Sequence, residues 1–165
     1  MAFVIVTASN IGNQPIAETS TTKKHPLGTI VQGRDDTLGQ AEFIYLQGIC
    51  STLVGSIVNY DDNFVTALDT SATAGPSRPL AVAMSANLAS AYGWYQISGL
   101  AVATKADTVS FADGAGLGAT AGLAVAALTG SVINSAIVRT VASAKTGVVT
   151  VPIAINRPHD PSDVS

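Results

Sequence analysis

The sequence predicts a mainly β chain: one compact β-sandwich or β-barrel-like domain over residues 27–156, an extended N-terminal arm over 1–26 and a short tail over 157–165. Three observations lead there. Aromatic and β-branched residues recur at two-residue intervals in short runs, which is the period of a strand. Turn-formers break those runs often, with 15 glycines and 7 prolines in 165 residues, the rhythm of many short strands. The central run, Gly93 to Thr104, holds the single tryptophan and carries an aromatic residue on each side, Trp94 and Tyr95, so neither face is a water face. A chain of this length has room for one domain with a core and not for two.

Taken in order, residues 1–26 open on the β-prone run Phe3 to Val6 and then turn polar through Asn10 to Pro15 and Thr19 to Thr22. This stretch has little to bury, which predicts an arm laid on a neighbouring subunit; the competing reading is an ordered loop returning over its own domain. Leu27-Gly28-Thr29-Ile30-Val31 and Val54-Gly55-Ser56-Ile57-Val58 read as turns that enter strands, with a looser echo at Ala106 to Ser110. Between the first two, Arg34 to Gln40 reads as an exposed turn and Ala41 to Gly48 as a strand with Phe43 and Tyr45 on one face and Ile44 and Leu46 on the other. Tyr60 to Phe64 is a turn, Val65 to Leu68 a strand, Asp69 to Pro79 a loop, Leu80 to Met84 extended, and Asn87 to Ala91 a short connection into the Trp94 strand.

In that strand Leu100 and Val102 fall on the Trp94 side, which predicts a bend at Gly99 that changes the core-facing side. The glycines within 111–130 argue against a long helix, and the stretch reads as a long loop with one short element around Leu123 to Leu128. Val132 to Ala142 is β-rich, Ser143 to Gly147 a turn, and Val148 to Ile155 a strand whose apolar face is Val149, Val151, Ile153 and Ile155. Pro152 predicts an edge or a bulge there.

Only 12% of the residues are charged, about half the usual share. Hydrophobic residues make up 47%, and alanine and valine dominate them. A surface so poor in charge predicts cover by other protein, hence a homo-oligomer or a larger shell. The net charge of −3 and pI of about 5.1 argue against direct nucleic-acid binding. Cys50 is the single cysteine, so an internal disulfide and a thiolate metal cluster are excluded; it reads as a buried inert thiol. No apolar run reaches membrane-span length and no basic leader opens the chain, which predicts a protein made in the cytoplasm, without a membrane partner.

No catalytic, cofactor-binding or metal-ligating residue is assigned. Gly116-Leu117-Gly118-Ala119-Thr120-Ala121 matches a dinucleotide-loop string, but it lacks a preceding full strand and an acidic residue about twenty positions on. Asp35-Asp36 and Asp61-Asp62-Asn63 are read as turn residues rather than cation ligands. His25 and His159 stand in the polar terminal segments, without ligand spacing to each other or to Cys50. The remaining candidates are Phe43, Tyr45, Tyr92, Trp94 and Tyr95, read as core or subunit interface, with a sugar-stacking platform as the rival.

Leu27 to Val31 with Ala41 to Leu46, Val54 to Asp61, and above all Gly93-Trp94-Tyr95-Gln96-Ile97-Ser98-Gly99 before an alanine- and valine-rich stretch, resemble the capsid decoration (cement) proteins of tailed bacteriophages. These are small head-stabilising proteins encoded near the major capsid protein. The resemblance spans about residues 27–158, including Val148 to Val151 and Asn156-Arg157-Pro158. It implies a non-enzymatic structural protein on the outer surface of the virion capsid, synthesised in the host cytoplasm, with the major capsid protein as partner and a homotrimer as the favoured state. The alternative is a carbohydrate-binding or structural module of a phage tail, baseplate or fibre.

Overall fold

The computed structural model describes residues 4–5, 14–48, 52–70, 78–127, 132–140 and 149–159. Cys50, the Ser143 to Gly147 turn and most of the Asp69 to Pro79 loop lie outside them. The described chain is a compact, mainly β domain built on one mixed sheet. Its strands are β1 (Val4–Ile5), β2 (Thr19–Ser20), β3 (Ile30–Asp35), β4 (Gly39–Gly48), β5 (Ile57–Tyr60), β6 (Val65–Leu68), β7 (Leu80–Ala83), β8 (Tyr92–Lys105), β9 (Leu117–Thr120), β10 (Leu123–Ala126), β11 (Asn134–Val138) and β12 (Val149–His159).

The 14-residue β8 organises the sheet. Its first half, Tyr92 to Ser98, pairs antiparallel with β4, and its second half, Ser98 to Lys105, pairs antiparallel with β12. From β4 the pairings run through β6, β5 and β7 and return to β8 at Tyr95 and Gln96. From β12 they run through β11, the Gly116–Ile137 bridge, β9 and β10, and return to β8 at Lys105. Two hydrogen-bonded circuits therefore share β8. In a closed circuit the paired edges are occupied, and a strand apolar on both sides has protein on both.

Burial follows this layout. On β8, Tyr95 and Ile97 pack with Ile44, Leu46 and Val58 inside the first circuit. Ala101 and Ala103 pack with Leu117, Val138, Val151 and Ile153 inside the second. Trp94 faces the other way, into a third cluster with Ile16, Phe43 and Tyr45. Trp94 and Tyr95 thus point to opposite sides of the sheet, and both are fully buried.

Gly99 is a kink, with φ +99 and a position for a Cβ only 2.5 Å from the Gln40 carbonyl oxygen. The Gln96 side chain braces it by donating to the carbonyls of Ser98 and Leu100, both at 3.1 Å. The core-facing side does change here, though not by way of Leu100 and Val102: the β4·β8 register slips by one residue between Gln96 and Ser98, as at a bulge. Tyr95 and Ile97 pack with Ala81 and Ala83, whereas Ala101 and Ala103 come onto the Gln96 side and pack with Val82, the partner of Gln96 on β7; the larger Leu100 and Val102 are half-buried. The space inside the second circuit takes methyl groups, so side-chain size misled the reading. The partner strand changes at the same point, from β4 to β12.

Residues 111–130 also differ from expectation. In place of a loop with one short element, β9 and β10 form a hairpin on the two-residue turn Ala121-Gly122, with φ of 46 and 76. Positive φ at both central residues defines the primed turn that suits the strands' twist. The dinucleotide-like string is therefore a strand and its turn, with no helix to receive a phosphate. The Ala106 to Ser110 echo makes a turn at Asp107 and Thr108 without a following strand.

β12 shows the predicted buried face at Val151, Ile153 and Ile155. It continues through Asn156 to His159, past the boundary predicted for the tail. Pro152 lies between two neighbours, yet its carbonyl accepts from Arg139 N–H, just beyond the end of β11. Its missing N–H faces the same side, so the pair with Arg139 keeps one bond of two and β11 ends there.

Candidate functional site

The predicted aromatic set divides. Phe43, Tyr45 and Trp94 come together in one cluster, Tyr92 is half-buried beside them, and Tyr95 is on the opposite face. The Tyr45 ring meets Trp94 edge-on at 4.9 Å and stacks with Tyr92 at 6.3 Å. Strand alternation places them: Tyr45 sits opposite Trp94 across the β4·β8 ladder, so two large rings share one cross-strand site.

The segment 14–26 lies across this cluster, over its own domain. Gln14 is the connector. Its carbonyl accepts from Trp94 Nε1–H at 2.8 Å, its side-chain Oε1 accepts from the Tyr45 hydroxyl at 2.9 Å, and its Nε2 donates to the Glu18 carbonyl at 2.6 Å. Its own N–H donates to His25 Nε2 at 3.1 Å. His25 packs its ring on Tyr45 and Trp94 at 5.0 and 5.3 Å. β2 adds a two-residue pairing with Tyr92 and Gly93 on β8. The bonds to Gln14 satisfy the Trp94 and Tyr45 polar tips while burial packs their rings, the arrangement that such side chains require inside a protein.

His25 therefore differs from its reading as one of two histidines in loose polar termini. Its Nε2 is an acceptor, which fixes the neutral ring with the proton on Nδ1. Burial, and then the neighbouring Lys24 ammonium, hold its pKa below the usual histidine value. Burial pushes the Tyr45 hydroxyl above its usual range, so it stays protonated and donates.

The acidic pairs act inside their own turns. Asp35 Oδ1 accepts from Thr37 and Leu38 N–H at 2.8 and 2.9 Å. Asp61 Oδ1 accepts from Asn63 and Val65 N–H at 3.0 and 2.9 Å, and the Val65 bond leads in holding that carboxyl below the ordinary range. Among the described residues no group of three or more His, Cys, Asp or Glu is placed to hold a metal ion. The cavity lined by Ile57, Leu80, Leu117 and Ile153 measures about 10 Å3, the size of one water and apolar, so it has no room for a substrate.

One outward feature was missed in the sequence. Leu53, Val54 and Leu88 are 51%, 50% and 65% exposed. They stand on two loops joined by Thr52 N–H donating to the Asn87 carbonyl at 2.8 Å. Beneath them Asn87 Nδ2 donates to the Tyr95 hydroxyl at 2.7 Å, which fixes the Leu88 loop on the buried face of β8. None of the protein-family models matches this chain, and none of the curated proteins does.

Proposed function

We propose that this chain is a non-enzymatic structural protein that binds the outer surface of a tailed-phage capsid, as a homo-oligomer with the trimer favoured, and stabilises contacts between capsomers. The observation that supports it is the braced apolar rim of Leu53, Val54 and Leu88 on a chain with 12% charged residues. Association is what such a rim does chemically, and the resemblance carried by Gly93 to Gly99 supplies the capsid as partner. We read the two strand circuits through β8 as barrel-like closure rather than a sandwich, because each returns to its starting strand.

The glycan-binding alternative has lost its platform: Trp94 and Tyr95 are fully buried, and Tyr92 is half-buried against Tyr45. The test is occupancy on purified empty heads. Leu53→Asp with Leu88→Asp lowers the affinity for heads by about tenfold or more, as loss of apolar anchors does, with the fold retained because both side chains are exposed. Unchanged affinity contradicts the assignment of the rim.

A further inference from the structure

We propose that His25 is an acid-released clasp: at neutral pH its unprotonated Nε2 holds the backbone of Gln14, and protonation frees the 14–26 segment from Tyr45 and Trp94. The inference concerns the isolated chain and does not rest on the capsid reading. Gln14 N–H and His25 Nε2 close a loop over the rings at 3.1 Å. The same residue carries the segment's bonds to Trp94 and Tyr45, so the His25 bond acts on the residue through which the segment holds both rings. A proton on Nε2 turns the acceptor into a donor, so two N–H groups face each other and the bond is lost.

The surrounding groups favour the neutral ring. Lys24 precedes it in the chain, Tyr45 on β4 stays protonated, and Tyr92 on β8 stacks on Tyr45 rather than on the histidine. Glu18 takes part through its backbone carbonyl, and its side chain is exposed. Among the described residues no carboxylate acts on the ring to favour a cation. The direction of the shift agrees with the geometry, because burial and Lys24 lower the pKa. A group whose pKa is lowered in the closed state contributes stability that is complete above its free value, about 6.5 for histidine, and lost as the pH falls below it. The β2 pairing, two residues long, offers little resistance to release.

The full chain is titrated from pH 7.5 to 5 while the emission of Trp94, the single tryptophan, and the hydrogen exchange of the Gln14 amide are followed. As Trp94 loses its cover, its emission shifts to the red. The opening equilibrium of the Gln14 amide, corrected for intrinsic exchange, rises by up to about tenfold per pH unit below about 6.5. Amides of β8 such as Ala101 stay protected. His25→Gln, which accepts a bond without titrating, abolishes the pH dependence, and His159→Gln, at the other histidine, leaves it intact. Constant emission and constant Gln14 protection overturn the proposal. So does a transition that persists in His25→Gln, or one in which Gln14 and Ala101 lose protection together.

Discussion

At the scale of single residues, the aromatic positions were legible and their partners were not. Alternation in Ala41 to Gly48 and in Gly93 to Thr104 fixes which of Phe43, Ile44, Tyr45 and Leu46, and which of Trp94 and Tyr95, share a side. Gln14 sits 80 positions from the indole it binds, in a polar stretch without a local pattern, so no signal in the chain marks it. Gly99 shows the opposite limit. Its presence flagged a special position, but only the structure shows the reason, a backbone φ of +99 against the Gln40 carbonyl. A methyl there meets both a strained backbone and a fixed oxygen. Gly99→Ala accordingly destabilises the domain by about 3 kcal/mol, read as a lowered midpoint in urea unfolding. A loss below about 0.5 kcal/mol, the ordinary surface range, would show that the kink is not fixed.

At the scale of elements, strands with clean alternation were placed closely, β6 to the residue and β4, β7, β8 and β12 within a few positions. Hairpin β9–β10 was hidden because its small residues, Leu117 to Ala126 with two internal glycines, carry neither strong alternation nor a standard turn pair. Its turn is held from outside: Ile57 N–H donates to the Gly122 carbonyl, and Gly122 N–H donates to the Asp69 carbonyl, each at 2.8 Å. Tertiary bonds impose on Ala121 a φ of 46 that alanine disfavours. Ala121→Asn, which gives the preferred Asn-Gly pair on an exposed site, raises stability by about 0.5–1 kcal/mol. Gly122→Ala lowers it, because its Cβ stands 2.7 Å from Leu68 Cδ2 and 3.1 Å from the Ile57 carbonyl. A thermal melt of each separates the two signs, and an unchanged or lower midpoint for Ala121→Asn contradicts the turn assignment.

At the scale of the molecule, the β class and the two-sided burial of β8 were legible, since a strand with aromatics on both faces needs protein on both. The circuits were not, because nothing local says that β8 passes from β4 to β12 at Ser98, or that β10 returns to it in parallel. The changeover is marked at the surface by Arg157 and Glu42, an ion pair at 3.2 Å from the two partner strands, worth at most about 1 kcal/mol. The proposal that other protein covers a charge-poor surface takes Leu53, Val54 and Leu88, the most exposed large apolar side chains among the described residues, as its first contact. The N-terminal segment changes its role between the sequence and the fold. Residues 14–26 lie on the chain's own aromatic cluster, and Val4–Ile5 pairs with its own β3.

The central claim is that the chain works by association with a shell. Native mass measurement tests it most directly, first on the isolated protein and then on its complex with purified empty heads. The account predicts a homo-oligomer, with the trimer favoured, and saturable loading of the heads at a fixed ratio to the major capsid protein. A monodisperse monomer that adds no mass to the heads contradicts it.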